Sequence, residues 1–230
     1  MSLQSFSPSI ADNVRAVRRR IEAAEHASGR QRGDVRLVAV SKGKSAELIR
    51  EAARAGCTDF GENYLQDALP KIHALADLNA AWHFIGAIQS NKTRAIAQHF
   101  HWVHTVSRAK IAARLSAQCP PGKRLDVTLQ VNIDQDPAKA GVDPDGVAGL
   151  LEDIGALANL RVRGLMTILQ RHTTPLDGYR RLAALFTELS ARAPRPWDTL
   201  SMGMSADFHD AIAAGATHVR IGTAIFGSRA

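Results

Sequence analysis

Apolar positions along this chain change their spacing repeatedly, and each change predicts a switch between helix and strand. From Ile10 to Ala24, apolar residues recur at steps of three and four, which predicts an amphipathic helix. Residues 35–41 then form a near-continuous apolar run, which is typical of a strand buried on both faces, as in a parallel sheet. The same alternation of short apolar runs and helical spacing continues to the end of the chain.

Eight such runs predict eight strands. The predicted strands cover 35–41, 58–61, 82–86, 101–106, 126–132, 161–168, 199–204 and 218–222. The predicted helices between them cover 45–55, 64–76, 92–98, 108–118, 144–157, the surroundings of 179–189, and 207–214, whereas only a short tail follows the last strand. This order predicts one α/β domain over residues 1–230, a single (β/α)₈ TIM-type barrel with an extra N-terminal helix. A doubly wound open sheet is the alternative.

Composition narrows the class of protein. The chain has 230 residues, 45% apolar and 22% charged, as in ordinary globular proteins. It has no apolar run of about 18 residues and no signal peptide at its start, so we expect a cytoplasmic protein that does not contact a membrane. Cys57 and Cys119 lack the spacing of a zinc site or a disulfide framework, and they are expected to be reduced thiols.

The net charge of +7 admits nucleic acid as a partner. Its distribution argues against this class, because acidic residues at Glu22 and Glu25 closely follow the only run of three basic residues, 18–20. Nucleic-acid binding is therefore not predicted, and a steep salt dependence of binding would be needed to support it.

Candidate chemistry is expected where strands end, because the active sites of such barrels lie at the carboxyl ends of the strands. Lys42 follows the first strand directly. One interpretation is a solvated loop lysine, since lysine is mostly exposed. The other is an amine at the barrel mouth that the neighbouring cation Lys44 makes more nucleophilic.

The last two strands suggest a phosphate site. Gly203 and Ser205 follow the seventh strand, and Gly222 and Thr223 follow the eighth. Backbone amides and hydroxyls after these strands often bind phosphate in barrels, although the glycines alone also fit tight turns. Arg220, inside an apolar strand, must reach water, an acid or a ligand. A phosphate site facing a lysine suggests pyridoxal 5′-phosphate (PLP).

Seven motifs resemble those of the YggS/PROSC family of PLP-binding homeostasis proteins, which are similar to the barrel domain of alanine racemase. They are LVAVSKGK (37–44), FGENYLQD (60–67), WHFIGAIQSNK (82–92), KAG (139–141), RGLMTI (163–168), LSMGMSADFHDAI (200–212) and VRIGTAIFG (219–227). Two positions differ from the family pattern. Ala87 stands where the family usually has proline, and His209 stands where it often has an acidic residue.

The resemblance implies a role for each cofactor-binding residue. Lys42 would carry PLP as an aldimine, and Asn63 and Met166 would lie beside the cofactor. The phosphate would be held by Ser205, Gly222 and Thr223. Arg220 would face the pyridine nitrogen. Lys44, Lys92 and Lys139 are either solvated or offer a second PLP site. No catalytic residue and no metal ligand is predicted.

The expected function is PLP homeostasis, in which a monomer buffers the cofactor or delivers it to PLP-dependent apo-enzymes, with effects on amino-acid and keto-acid balance. The alternative is a PLP-dependent amino-acid racemase. Racemisation needs two bases on opposite faces of the cofactor. In alanine racemase the second base is a tyrosine from another domain, and here only Tyr64 and Tyr179 are available. We therefore expect a protein that is not an enzyme.

Overall fold

The computed structural model describes residues 9–170, 174–191, 193 and 197–228. It shows eight parallel strands that form a closed barrel in chain order. The strands are β1 (Arg36–Val40), β2 (Asp59–Glu62), β3 (Ala81–Phe84), β4 (Trp102–Val106), β5 (Leu125–Gln130), β6 (Leu160–Met166), β7 (Thr199–Ser201) and β8 (His218–Ile221). The barrel prediction is confirmed. The open sheet is wrong, because β8 pairs with β1 and aligns Arg220 with Val38.

The helices surround the barrel. Those described are α1 (Ile10–Ala27), α2 (Ala46–Arg54), α3 (Leu65–Ala74), α4 (Thr93–His99), α5 (Ala109–Ala117), α6 (Val147–Ile154), α7 (Pro175–Ser190), α8 (Phe208–Ala213) and α9 (Thr223–Phe226). The short α9 was not predicted. It depends on tertiary contacts, since the Asn13 amide of α1 donates to Ile225 O at 2.9 Å. None of the described helices combines the length and apolarity needed to cross a membrane.

Several strands end earlier than predicted, and this lengthens the loops at the carboxyl rim. β7 stops at Ser201 instead of residue 204, because Gly203 adopts a φ of +90° and turns the chain towards α8. A Cβ atom on Gly203 would lie 2.6 Å from the Ala211 Cβ atom, so only glycine fits this turn. β5 ends at Gln130, and Asn132, predicted to end that strand, lies in the following loop.

The two faces of the strands differ in polarity. Leu37 and Ala39 of β1 belong to the apolar core shared with the helices. The alternate positions face the barrel interior, because successive side chains of a strand point to opposite sides. His83 of β3 and His104 of β4 lie on this inner face and are fully buried. The interior of the barrel is therefore built partly from ionisable side chains that must be hydrogen-bonded.

Candidate functional site at the carboxyl rim of the barrel

Lys42 lies on a tightly held turn. β1 ends at Val40, and continuing its alternation by two places Lys42 on the inward side of the rim. The turn is fixed on both sides, since Ser41 N donates to Gly61 O at 3.0 Å and Lys44 N donates to Ser41 O at 3.0 Å. Lys42 is half-buried. Lys42 is therefore attached to a fixed turn at the barrel rim, and its predicted role requires such a fixed position.

Lys44 is half-buried and is anchored to the end of α9. Its Nζ atom donates to Phe226 O at 3.1 Å and to Ser228 O at 2.8 Å, at the end of α9. Lys44 is therefore tied to the end of α9 as well as partly exposed, and the choice between its two interpretations stays open. Lys139 donates to Ile168 O at 3.1 Å, and Lys92 lines a cleft of about 330 Å³ together with Asn63. A second PLP site at these lysines stays a prediction.

A buried ion pair supports the Lys42 turn from the helix side. Lys71 Nζ of α3 donates to Glu62 Oε1 at 2.8 Å and to Ser41 O at 3.0 Å, and Ser41 Oγ donates to the same carboxylate oxygen at 2.6 Å. Burial raises the pKa of Glu62, and the hydrogen bonds from Lys71 and Ser41 oppose that rise. Sequence analysis missed Lys71, because it lies in an amphipathic helix and carries no local signal.

Asn63 presents a buried polar atom without a partner. Its Oδ1 atom is buried and has no hydrogen-bond partner among the described residues. Leaving such an acceptor unsatisfied costs about 1–3 kcal/mol, so the atom fits a ligand donor. Its backbone packs closely against Gly86, where a Cβ atom would lie 1.9 Å from Asn63 O.

Met166, at the end of β6, is fully buried on the inner face.

The predicted phosphate-binding residues lie on adjacent loops. Ser205 follows β7 and is half-buried, and Thr223 follows β8 and is exposed. The loop after β7 is joined to β8, since Arg220 N donates to Gly203 O at 3.0 Å. Gly222 packs against β1, where a Cβ atom would lie 3.1 Å from Val40 O. The turn interpretation of Gly203 is confirmed, and the phosphate role of the other residues stays a prediction.

Arg220 is a buried cation held by neutral oxygens. It is 5% exposed. Its NH1 atom donates to Ser201 Oγ at 2.7 Å and its NH2 atom donates to Thr167 O at 2.8 Å. Burial lowers the pKa of Arg220 to about 10, so the guanidinium remains charged at neutral pH. Among the described residues no carboxylate forms an ion pair with it, so the structural salt bridge considered for Arg220 is not found there.

The closed barrel brings the sequence-predicted residues to one rim. Each of these residues lies in one of five strands, β1, β2, β6, β7 and β8, or in the loop that follows it. They are Lys42, Asn63, Met166, Ser205, Arg220, Gly222 and Thr223. Sequence analysis missed the oxygens that hold Arg220, on Ser201 and Thr167. It also missed His83 and His104, although a histidine inside an apolar strand is itself a signal of a buried polar contact.

Comparisons with known proteins show the family of this chain and agree with its barrel fold. The family described as alanine racemase, N-terminal domain, matches residues 9–230. The pyridoxal phosphate homeostasis protein of Pseudomonas aeruginosa is 51% identical, over 96% of this chain and 96% of the relative. That of Escherichia coli K12 is 44% identical, over 96% and 97%. The solved structure of PipY from Synechococcus elongatus with PLP bound is 36% identical, with a TM-score of 0.84, over 95% of this chain and 100% of PipY.

Proposed function

Because this chain belongs to the alanine racemase N-terminal domain family, and within it to the YggS/PROSC homeostasis proteins, we propose that it binds PLP at the carboxyl rim and takes part in PLP homeostasis. The observation that carries this proposal is Arg220, a buried cation whose hydrogen bonds to described residues end on neutral oxygens. Burial disfavours the charge of Arg220, and the nearby Tyr179 and Asp207 restore it only in part. An acceptor on a bound ligand would stabilise the guanidinium further.

The residues at the rim fit the chemical groups of PLP. Lys42 would hold the aldehyde carbon, Asn63 and Met166 would lie beside the ring, Arg220 would face the pyridine nitrogen, and Ser205, Gly222 and Thr223 would hold the phosphate. The unpartnered Oδ1 atom of Asn63 supports this fit. When bound, PLP supplies an aldehyde that accepts amines and a ring that withdraws electrons.

Arg220 would limit the electron-withdrawing power of that ring. A guanidinium donates hydrogen bonds and accepts none. The pyridine nitrogen would therefore accept a hydrogen bond from Arg220 and carry no proton of its own. An unprotonated ring stabilises a carbanion poorly, which favours a carrier of the cofactor over a catalyst.

A role in buffering or delivery suits the exposed rim. Its exposed large hydrophobic residues are Tyr64, Ile168 and Met204, which follow β2, β6 and β7. PLP would enter and leave past these side chains, which would also offer a surface to recipient apo-enzymes. We propose that the chain is one domain over residues 1–230 and works as a cytoplasmic monomer. Residues 1–8 and 229–230 of that span lie outside the described residues.

The phosphate cradle is tested by changing Ser205 and Thr223 together to alanine. We expect the variant to bind PLP at least about a hundredfold more weakly, because each of the two charge-assisted hydrogen bonds contributes about 1.5–3 kcal/mol. Binding of pyridoxal, which lacks the phosphate, should hardly change. Equilibrium dialysis with both ligands measures this, and Ser107→Ala, a change at a half-buried serine after β4, is the control. Unchanged PLP affinity in the double variant would place the phosphate elsewhere.

The family match keeps an amino-acid racemase as the second candidate function. The chain's own tyrosines argue against an efficient one. Tyr179 is 1% exposed, and burial raises the pKa of its hydroxyl. Tyr64 is 58% exposed, so its ring is not packed into the described part of the barrel. Neither is therefore a well-placed second base.

We therefore expect no efficient racemisation of L-alanine or other L-amino acids by the PLP-loaded protein. Incubation in deuterated water, with analysis of α-deuterium and of the D-isomer, measures both halves of the reaction. Slow deuterium incorporation without the D-isomer would fit a site that has one base and lacks a second base on the opposite face of the cofactor. Formation of the D-isomer at about 1 per second or faster, in the ordinary enzyme range, would contradict the carrier function.

A further inference from the structure

A continuous path of hydrogen bonds crosses the barrel interior from β2 to β8. Asp59 Oδ1 lies 3.0 Å from His83 Nε2, His83 Nδ1 lies 2.9 Å from His104 Nε2, and His104 Nδ1 lies 2.7 Å from Ser201 Oγ. The last contact is the 2.7 Å bond from Arg220 NH1 to Ser201 Oγ. None of the five residues is more than 5% exposed. The path thus links the cation of the proposed PLP site to a buried carboxylate.

The carboxylate fixes the direction of every bond in the path. An ionised carboxylate only accepts, so His83 must donate to Asp59 from Nε2. A neutral His83 then accepts at Nδ1, and His104 must donate to it from Nε2. His104 in turn accepts at Nδ1, so the Ser201 hydroxyl donates its only proton there. The Ser201 oxygen is left with lone pairs alone, and these face Arg220.

The electrostatics agree with this assignment. Burial opposes ionisation of Asp59, but hydrogen bonds from His83 and Thr58 hold the pKa of Asp59 at about 2. Burial lowers the pKa of His83, against the opposing effect of Asp59, and it lowers the pKa of His104 well below its ordinary value. Both imidazoles are therefore neutral. Among the described residues, no cluster of His, Cys, Asp and Glu is arranged to bind a metal ion.

We propose that Asp59, His83, His104 and Ser201 are positioning residues that fix the Arg220 guanidinium towards the pyridine nitrogen of bound PLP. The inference rests on the proposed function, because it takes the ligand and the role of Arg220 from it. Without the path, the Ser201 hydroxyl would rotate freely, and its proton could point at the Arg220 guanidinium in place of a lone pair. With it, Ser201 donates to His104 and is only an acceptor towards Arg220, and together with Thr167 O it sets the plane of the guanidinium.

The direction of the path can be tested in the protein without PLP. In the full chain labelled with ¹⁵N-histidine, nitrogen NMR at neutral pH should show His83 and His104 as neutral rings protonated at Nε2. The variants His83→Gln and His104→Gln assign the two sets of signals by their loss. A protonated ring, or a proton on Nδ1 of either ring, would overturn the path whatever the ligand is.

The positioning role is tested by selectivity between two ligands. The second ligand is the deaza analogue of PLP, in which a C–H group replaces the pyridine nitrogen. We expect the wild-type protein to bind PLP about tenfold more tightly than the analogue, the size of one hydrogen bond to a charged donor. Ser201→Ala should reduce this ratio to near one. A merely structural change would weaken both ligands equally and leave the ratio unchanged.

The control variant is Thr128→Val, which removes another buried hydroxyl, the donor to the backbone oxygen of His104 at 3.0 Å. It should keep the wild-type ratio. If Ser201→Ala also keeps that ratio, the positioning role is overturned while PLP binding stands. If the wild-type protein binds both ligands equally, Arg220 does not face the nitrogen and the inference is wrong. If the wild-type protein binds neither, the proposed function fails as well.

Discussion

Changing Lys42 to alanine should abolish the stable retention of PLP. The amine is half-buried at the barrel mouth, and the alanine variant has no group there that bonds covalently to the aldehyde. We expect the purified variant to be colourless after dialysis and to lose the visible absorbance band of the wild-type protein. The phosphate cradle should still bind PLP weakly and reversibly.

Lys110→Ala is the matched control for that experiment. Lys110 is an exposed lysine of α5, so its loss should leave the colour and the absorbance band unchanged. Retention of PLP by Lys42→Ala after reduction with borohydride would show that another lysine holds the cofactor. Without PLP, the thermal unfolding of both variants should resemble that of the wild-type protein, since neither side chain belongs to the apolar core.

Changing Lys71 to methionine should have the largest effect on stability. The substitution leaves Glu62 fully buried without its cation. Removing one partner of a buried ion pair costs about 3–5 kcal/mol, and denaturant unfolding at neutral pH measures the loss. Burial already raises the pKa of Glu62. The loss should therefore shrink as the pH falls towards 4.5, the ordinary glutamate pKa, because a protonated Glu62 carries no charge.

Two further variants test the cause of that loss. Arg50→Met breaks a more exposed ion pair with Asp77, and it should cost no more than about 1 kcal/mol. Glu62→Gln combined with Lys71→Met should recover part of the stability, since no buried charge remains. A Lys71→Met variant as stable as Arg50→Met would contradict the importance of the buried pair. The Lys71→Met protein should also bind PLP more weakly, because Lys71 anchors Ser41 beside Lys42.

The order of strands and helices was predictable because it depends on local periodicity. The near-continuous apolar run at 35–41 is enough to predict a strand, and seven other apolar runs predict the remaining strands. The carboxyl ends of the strands were less predictable, since a turn such as that at Gly203 depends on contact with α8. The helix α9 was missed for a related reason. It is four residues long and packs on α1, at the other end of the chain.

A site residue was predictable from the sequence only where its position at the end of a strand was enough to place it at the rim. Lys42 directly follows a buried strand, and the barrel rule places it at the rim. The partners of Arg220 were not predictable, because Ser201 lies 19 residues away and Thr167 lies 53 residues away. The path through His83 and His104 forms only when the barrel closes. Such contacts depend on register and closure, which a single sequence does not encode locally.

Mapping the lysine that bonds to PLP tests directly whether Lys42 holds the cofactor. The wild-type protein is loaded with PLP, reduced with borohydride, digested and mapped by mass spectrometry. We predict a visible absorbance band before reduction, its loss afterwards, and a pyridoxyl group on the peptide that contains Lys42. A label found only on another lysine, or no label at all, would show that Lys42 does not hold PLP.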